Sequence, residues 1–138
     1  YRYTEADGFA KLFACPDFTG SYLSYDGEHL YLSQWYKGMI HRLDDSGQVT
    51  RTIQIGAEIC GQTFVEDLLY VLCGRENKDH PGKSEEWRIA RLDPREETPA
   101  VEDLATIPFA ARSLAYDGES FWSNHRAANE IISFTLPR

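Results

Sequence analysis

Three short polar clusters each follow an apolar run: Gln34-Trp35 after Leu30-Tyr31-Leu32-Ser33, Arg75 after Val71-Leu72-Cys73-Gly74, and Asn124-His125-Arg126 after Phe121-Trp122-Ser123. Arg112 adds a fourth polar group between Ala111 and Ser113. Amide, indole, imidazole and guanidinium groups supply hydrogen bonds, positive charge and stacking surface. Together they suit recognition of a small polar or anionic molecule. The candidate ligand-binding set is therefore Gln34, Trp35, Arg75, Arg112, Asn124, His125 and Arg126. The competing reading is that these groups cap strand ends or pair with the many carboxylates.

Catalysis finds less support. His125 is a candidate general base, but neither a Ser nor a Cys stands at a diagnostic spacing from it, and no carboxylate adjacent in sequence orients it. No catalytic residue is assigned. A calcium or zinc site needs several convergent ligands. Asp17 and Asn124 are available, whereas Glu58 aligns with apolar Phe18 and Phe109 in the repeat described below, so a ring of acids is incomplete. No metal or other cofactor is expected, and calcium or zinc is the alternative. Cys15, Cys60 and Cys73 form no C-x-x-C pair and have no nearby His at zinc-like spacing.

Bulk charge narrows the partners. With 22 acidic against 14 basic residues the net charge is -8, and the basic residues are scattered, which disfavours nucleic acid. No apolar run approaches the roughly 20 residues of a membrane span. The chain opens at Tyr1 without Met or a basic-then-apolar leader, which suggests a processed chain or an excised domain and leaves the compartment unassigned.

The elements that must position the clusters repeat. Leu23-Ser24-Tyr25-Asp26-Gly27-Glu28 recurs as Leu114-Ala115-Tyr116-Asp117-Gly118-Glu119, and a degenerate middle copy runs through Thr63-Phe64-Val65-Glu66-Asp67. The repeat averages about 45 residues, the length of a four-stranded propeller blade. In this alignment Gln34, Cys73 and His125 are equivalent, as are Trp35, Gly74 and Arg126. β-Branched and aromatic residues fill each copy, and Asp-Gly pairs mark tight turns. Fourth strands are expected at Val49 to Ile55 and Val101 to Ile107.

The fold class is therefore all-β: a half propeller of three four-stranded blades at about residues 16–55, 56–107 and 108–138, in a single domain spanning 1–138. The third copy ends before a fourth strand, and residues 9–15 read as a strand without a blade. Propellers typically need four to eight blades, so a six-bladed ring is expected from a homodimer, with N-terminal strands exchanged to complete each third blade. One half of a longer chain is the alternative.

Tyr25-Asp26-Gly27-Glu28-His29-Leu30-Tyr31-Leu32 with Ile40-His41-Arg42-Leu43-Asp44-Asp45-Ser46-Gly47 resembles blades of the TolB-like, lactonase-like, NHL-like and glutamine cyclotransferase-like six-bladed propellers. The resemblance extends from about Phe9 to Arg138. It implies the fold and leaves the activity open, since these blades serve lactonases, cyclising enzymes and binding proteins alike. No catalytic motif transfers. A binding module with an axial polar cavity is expected, the alternatives being a metal-dependent lactonase-like hydrolase, a cyclotransferase-like enzyme or a protein-interaction scaffold.

Three finer expectations follow. A two-residue turn at Glu66-Asp67 sets Cys60 opposite Cys73. The recurring Tyr25, Tyr31, Tyr70, Tyr116 and Trp122 are expected to pack between blades. Residues 76–86 are an insertion, expected to be a solvated loop.

Overall fold

The computed structural model describes residues 1–75 and 86–137. The expected insertion falls almost entirely outside the described residues. Thirteen strands are described: β1 Arg2–Thr4, β2 Gly8–Ala10, β3 Leu23–Tyr25, β4 Leu30–Gln34, β5 Met39–Leu43, β6 Val49–Gln54, β7 Glu58–Val65, β8 Leu68–Arg75, β9 Glu86–Leu92, β10 Glu102–Ile107, β11 Ala115–Tyr116, β12 Phe121–His125 and β13 Glu130–Phe134. They form three antiparallel meanders, β3-β4-β5-β6, β7-β8-β9-β10 and β11-β12-β13, with β1-β2 as a separate hairpin. The all-β, propeller-like expectation is met.

Local chemistry sets the turns. The Asp26 carboxylate accepts the N–H groups of Glu28 and His29, and the Asp117 carboxylate those of Glu119 and Ser120. Gly27 and Gly118 follow with φ of 99° and 106°, a region open to glycine and costly for other residues. These paired turns place Tyr25 opposite Leu30 and Tyr116 opposite Phe121.

The core is divided between two sheet junctions. Tyr31, Ile40 and Ile53 of the first sheet meet Ile59, Leu69, Val71 and Leu92 of the second. Tyr70, Leu72, Trp87 and Ile89, from the opposite face of the second sheet, meet Ala111, Leu114 and Phe121. Period-2 alternation along β8 thus feeds both junctions, so the middle sheet is apolar on both faces. Arg51 ties the first junction by donating to the Pro94 and Glu97 carbonyls.

Two expectations are corrected. Residues 9–15 are not one strand. Gly8–Ala10 pairs back on Arg2–Thr4, the turn held by Thr4 Oγ1 and Asp7 and by Gly8 at φ 66°. A hairpin closed over so short a loop costs less entropy than distant pairing. Residues 13–20 lie against the outer face of the first sheet instead: a Cβ at Gly47 would strike the Phe13 ring, and one at Gly20 would strike Leu32. The third sheet accordingly has three strands, with β13 at its edge.

The second correction concerns the cysteines. Val65 does pair with Leu68, but the register shifts between Ile59 and Gly61, so Ile59 and not Cys60 faces Cys73. Cys60 occupies a β-bulge, which turns its side chain to the second junction while Cys73 enters the first.

Candidate functional site

The first strands of neighbouring meanders, β3 with β7 and β7 with β11, lie against one another, closely enough at β7 to demand a small residue. A Cβ on Gly61 would stand 2.6 Å from the Leu114 nitrogen. Ser113 donates its N–H to the Cys60 carbonyl at 2.7 Å and has φ of 80°, a strained value for a serine. Gln62 Nε2 donates to Ser24 Oγ and to the Tyr31 carbonyl, both at 2.9 Å, stitching the second sheet to the first.

At one end of this stack the second strands finish and the first strands begin. Trp35 opens a 3-10 turn, Trp35–Lys37, that closes at Gly38 with φ of 60°. Gly38 is required there, because a Cβ would lie 2.7 Å from the Ala57 carbonyl oxygen. From the third sheet, the Arg112 guanidinium lies over the Trp35 ring at 5.2 Å and over the Trp87 ring at 5.9 Å. Arg112 is fixed from behind, its backbone N–H donating to Asn124 Oδ1 at 2.9 Å. One cluster therefore draws Trp35 from the turn after β4, Trp87 from β9 and Arg112 from the segment leading into β11, one from each of the three meanders.

The Arg112 guanidinium meets no carboxylate among the described residues. A guanidinium lying on aromatic faces keeps its in-plane N–H groups for an oxyanion, which is the geometry of bidentate carboxylate or phosphate recognition. Trp87 adds a buried indole whose Nε1 has no acceptor among the described residues.

Trp87 was not among the residues picked out by sequence. Its signal lay in the repeat: Gly74 stands where the other copies have Trp35 and Arg126, and the ring of Trp87, paired across the strand, fills the vacated space. A Cβ on Gly74 would come within 2.5 Å of that ring.

The other expected residues divide. Gln34 is fully buried, its Nε2 donating to the Pro16 carbonyl at 3.0 Å and its Oε1 accepting from His41 Nε2 at 2.9 Å, so both ends of its amide are occupied within the fold. Arg75 ends β8 exposed, and Arg126 is exposed beyond β12. His125 stacks on Phe109 with centroids 4.5 Å apart and planes at 11°. Its Nδ1 accepts the Ala128 N–H at 3.2 Å, so the neutral ring holds its proton on Nε2 and presents a donor there, not a base. Asn124, His125, Arg126, Asn129, Glu130 and Ile131 line an open recess of about 280 Å³.

The oxygens considered for a metal are engaged elsewhere. Asp17 pairs with Lys37 Nζ at 2.6 Å, and this hydrogen bond holds its carboxyl below the usual range. Asn124 Oδ1 serves Arg112. Among the described residues no group of three or more His, Cys, Asp or Glu stands together as metal ligands.

No protein-family profile matches the sequence, and no curated protein matches it. Among solved structures, the crystal structure of Myxococcus xanthus glutaminyl cyclase is similar, with a TM-score of 0.54 at 15% identity, covering 80% of this chain and 45% of that one. The chain thus spans less than half the length of the structure it matches. At such identity the likeness speaks to backbone arrangement alone, and together with the three stacked meanders it shows a propeller-like all-β fold.

Proposed function

We propose that this chain is a binding module whose ligand is a small carboxylate- or phosphate-bearing molecule, received at Arg112 between sheets. The observation that carries the reading is a half-buried guanidinium set over Trp35 and Trp87 with no carboxylate partner among the described residues. Arg112 supplies the charge and the in-plane donors, Asn124 holds its backbone, and Trp35 offers a ring edge to the apolar part of the ligand. Arg126 and Arg75 contribute positive potential from the same end of the strands. The chain is taken as three blades of a six-bladed ring.

Titrating the tryptophan fluorescence with a panel of small carboxylates and phosphate esters tests this. At least one member saturates the wild-type signal, and Arg112→Met weakens it at least tenfold, while Arg112→Lys retains part of the affinity through charge. An unresponsive wild type, or equal affinity in Arg112→Met, overturns the reading.

A second reading, a cyclising enzyme acting on glutaminyl groups, is favoured by the likeness to the Myxococcus xanthus glutaminyl cyclase. Ammonia release from a peptide with an N-terminal glutamine, followed over enzyme concentration, decides it. Dependence of any such activity on calcium or zinc, checked by elemental analysis and chelation, would separate the metal-dependent alternative.

A further inference from the structure

Each of the two junctions inside the chain uses a second-strand tyrosine at the same register position. A second-strand aromatic projects from one sheet and wedges against an aromatic on the next. Tyr31 of β4 meets Phe64 of β7 edge-on, with centroids 5.1 Å apart. Tyr70 of β8 meets Phe121 at 5.0 Å, and Phe121 in turn packs on Tyr116 at 4.8 Å. Strand register makes Tyr31, Tyr70 and Trp122 equivalent projecting residues, each one place after the residue opposite Tyr25, Phe64 or Tyr116 on the preceding strand. Phe64 receives Tyr31 directly, Phe121 stands between Tyr70 and Tyr116, and Tyr25 is the register equivalent of Phe64 and Tyr116.

Within the described residues the equivalents of the Tyr31–Phe64 contact both lie open, Trp122 standing for Tyr31 and Tyr25 for Phe64. Trp122 projects from the third sheet and is 39% exposed, and Tyr25 stands on the outer face of the first sheet, 58% exposed. Trp122 is held ready. Its Nε1 donates to Asp117 at 2.6 Å, as the equivalent Tyr31 hydroxyl lies within reach of the equivalent Asp26. Apolar neighbours extend both ends, Ile131 at 80% exposure beside Trp122 and Leu23 at 57% beside Tyr25. Residues 13–20 cover other parts of the first sheet's outer face and leave Leu23 and Tyr25 open.

We propose that a second copy of this chain docks here, the open face of the third sheet of each copy receiving the open face of the first sheet of the other, with Trp122 against Tyr25 at both junctions. A second copy is the occupant because both halves of a contact already made within the chain lie open on one molecule, and continuing the same packing by two-fold symmetry satisfies both at once. An association through two such junctions is concentration-dependent.

Sedimentation and light scattering on the 138-residue chain test the proposal. The expected species has twice the 15.8 kDa of one chain. Trp122→Lys and Tyr25→Glu, both at exposed positions, each weaken association at least tenfold while far-ultraviolet circular dichroism stays unchanged. Mixing the two variants restores a dimer, since one junction then joins lysine to glutamate and the other retains Trp122 and Tyr25. A monomer at all concentrations overturns the proposal, with the open faces then left to a different occupant. So does a dimer indifferent to both substitutions, or a failure of the mixed variants to associate.

Discussion

The Arg112 guanidinium sits 5.2 Å above the ring of Trp35, joining the third sheet to the first at the end of the stack where the second strands finish. With Trp87 as a further ring at 5.9 Å, the contact is also structural. Cation–π contacts contribute about 0.5–1 kcal/mol each at accessible sites. Arg112→Ala should therefore lower stability by about 1–2 kcal/mol in urea titrations and shift the tryptophan emission. Unchanged stability and emission would show that the three side chains do not act together.

A pH dependence is expected from His41. Its Nε2 donates to Gln34, and its Nδ1 accepts from Thr52 Oγ1 at 2.8 Å, a bond that requires the neutral ring. Burial, then the Lys37 charge, hold its pKa below the ordinary 6.5, with Asp17 opposing. The unfolded chain thus takes up a proton near 6.5 that the folded chain refuses until lower pH, so stability falls as pH drops through that window. The urea midpoint should fall between about pH 7.5 and about pH 5.5, and His41→Gln should flatten the dependence.

Thiol reactivity should separate the cysteines. Cys15 is exposed, whereas Cys60 and Cys73 are buried in different junctions. Burial pushes the Cys73 thiol up to about 11, leaving almost no thiolate at neutral pH. A disulfide reagent should titrate one thiol per native chain quickly, and the remaining two only in denaturant. Fast reaction of two or more would contradict the packing.

Gly61→Ala should be among the most damaging small substitutions. The added methyl would fall 2.6 Å from backbone atoms of Ser113 and Leu114, which cannot rotate away as a side chain can. Overpacking of this kind costs about 1–3 kcal/mol. Gly27→Ser, where nothing lies within 4 Å of the added Cβ, should cost less, through its positive φ alone. Chemical denaturation of the two variants side by side gives the ranking.

The amino-acid sequence by itself determined what depends on near neighbours. Asp26-Gly27, Asp117-Gly118 and Glu66-Asp67 each close a turn with groups a few residues apart, and strand alternation then sets which side chains share a face. That was enough to read meanders, their repeat, and the end of the stack where Trp35, Arg112, Asn124 and His125 lie.

What the tertiary structure decided depends on groups far apart in the chain. Gln34 is taken out of the candidate site by Pro16 and His41, which the repeat alignment cannot see because residues 13–20 belong to no repeat. Cys60 misses Cys73 because a bulge is set by Ser113, whose N–H takes the Cys60 carbonyl from the neighbouring sheet. Trp87 joins Arg112 only once Gly74 makes room and the third sheet packs on the second. Turn chemistry acts over a few residues and leaves its mark in composition, whereas side-chain neighbours across a sheet junction are chosen by packing that three separate strands must complete together.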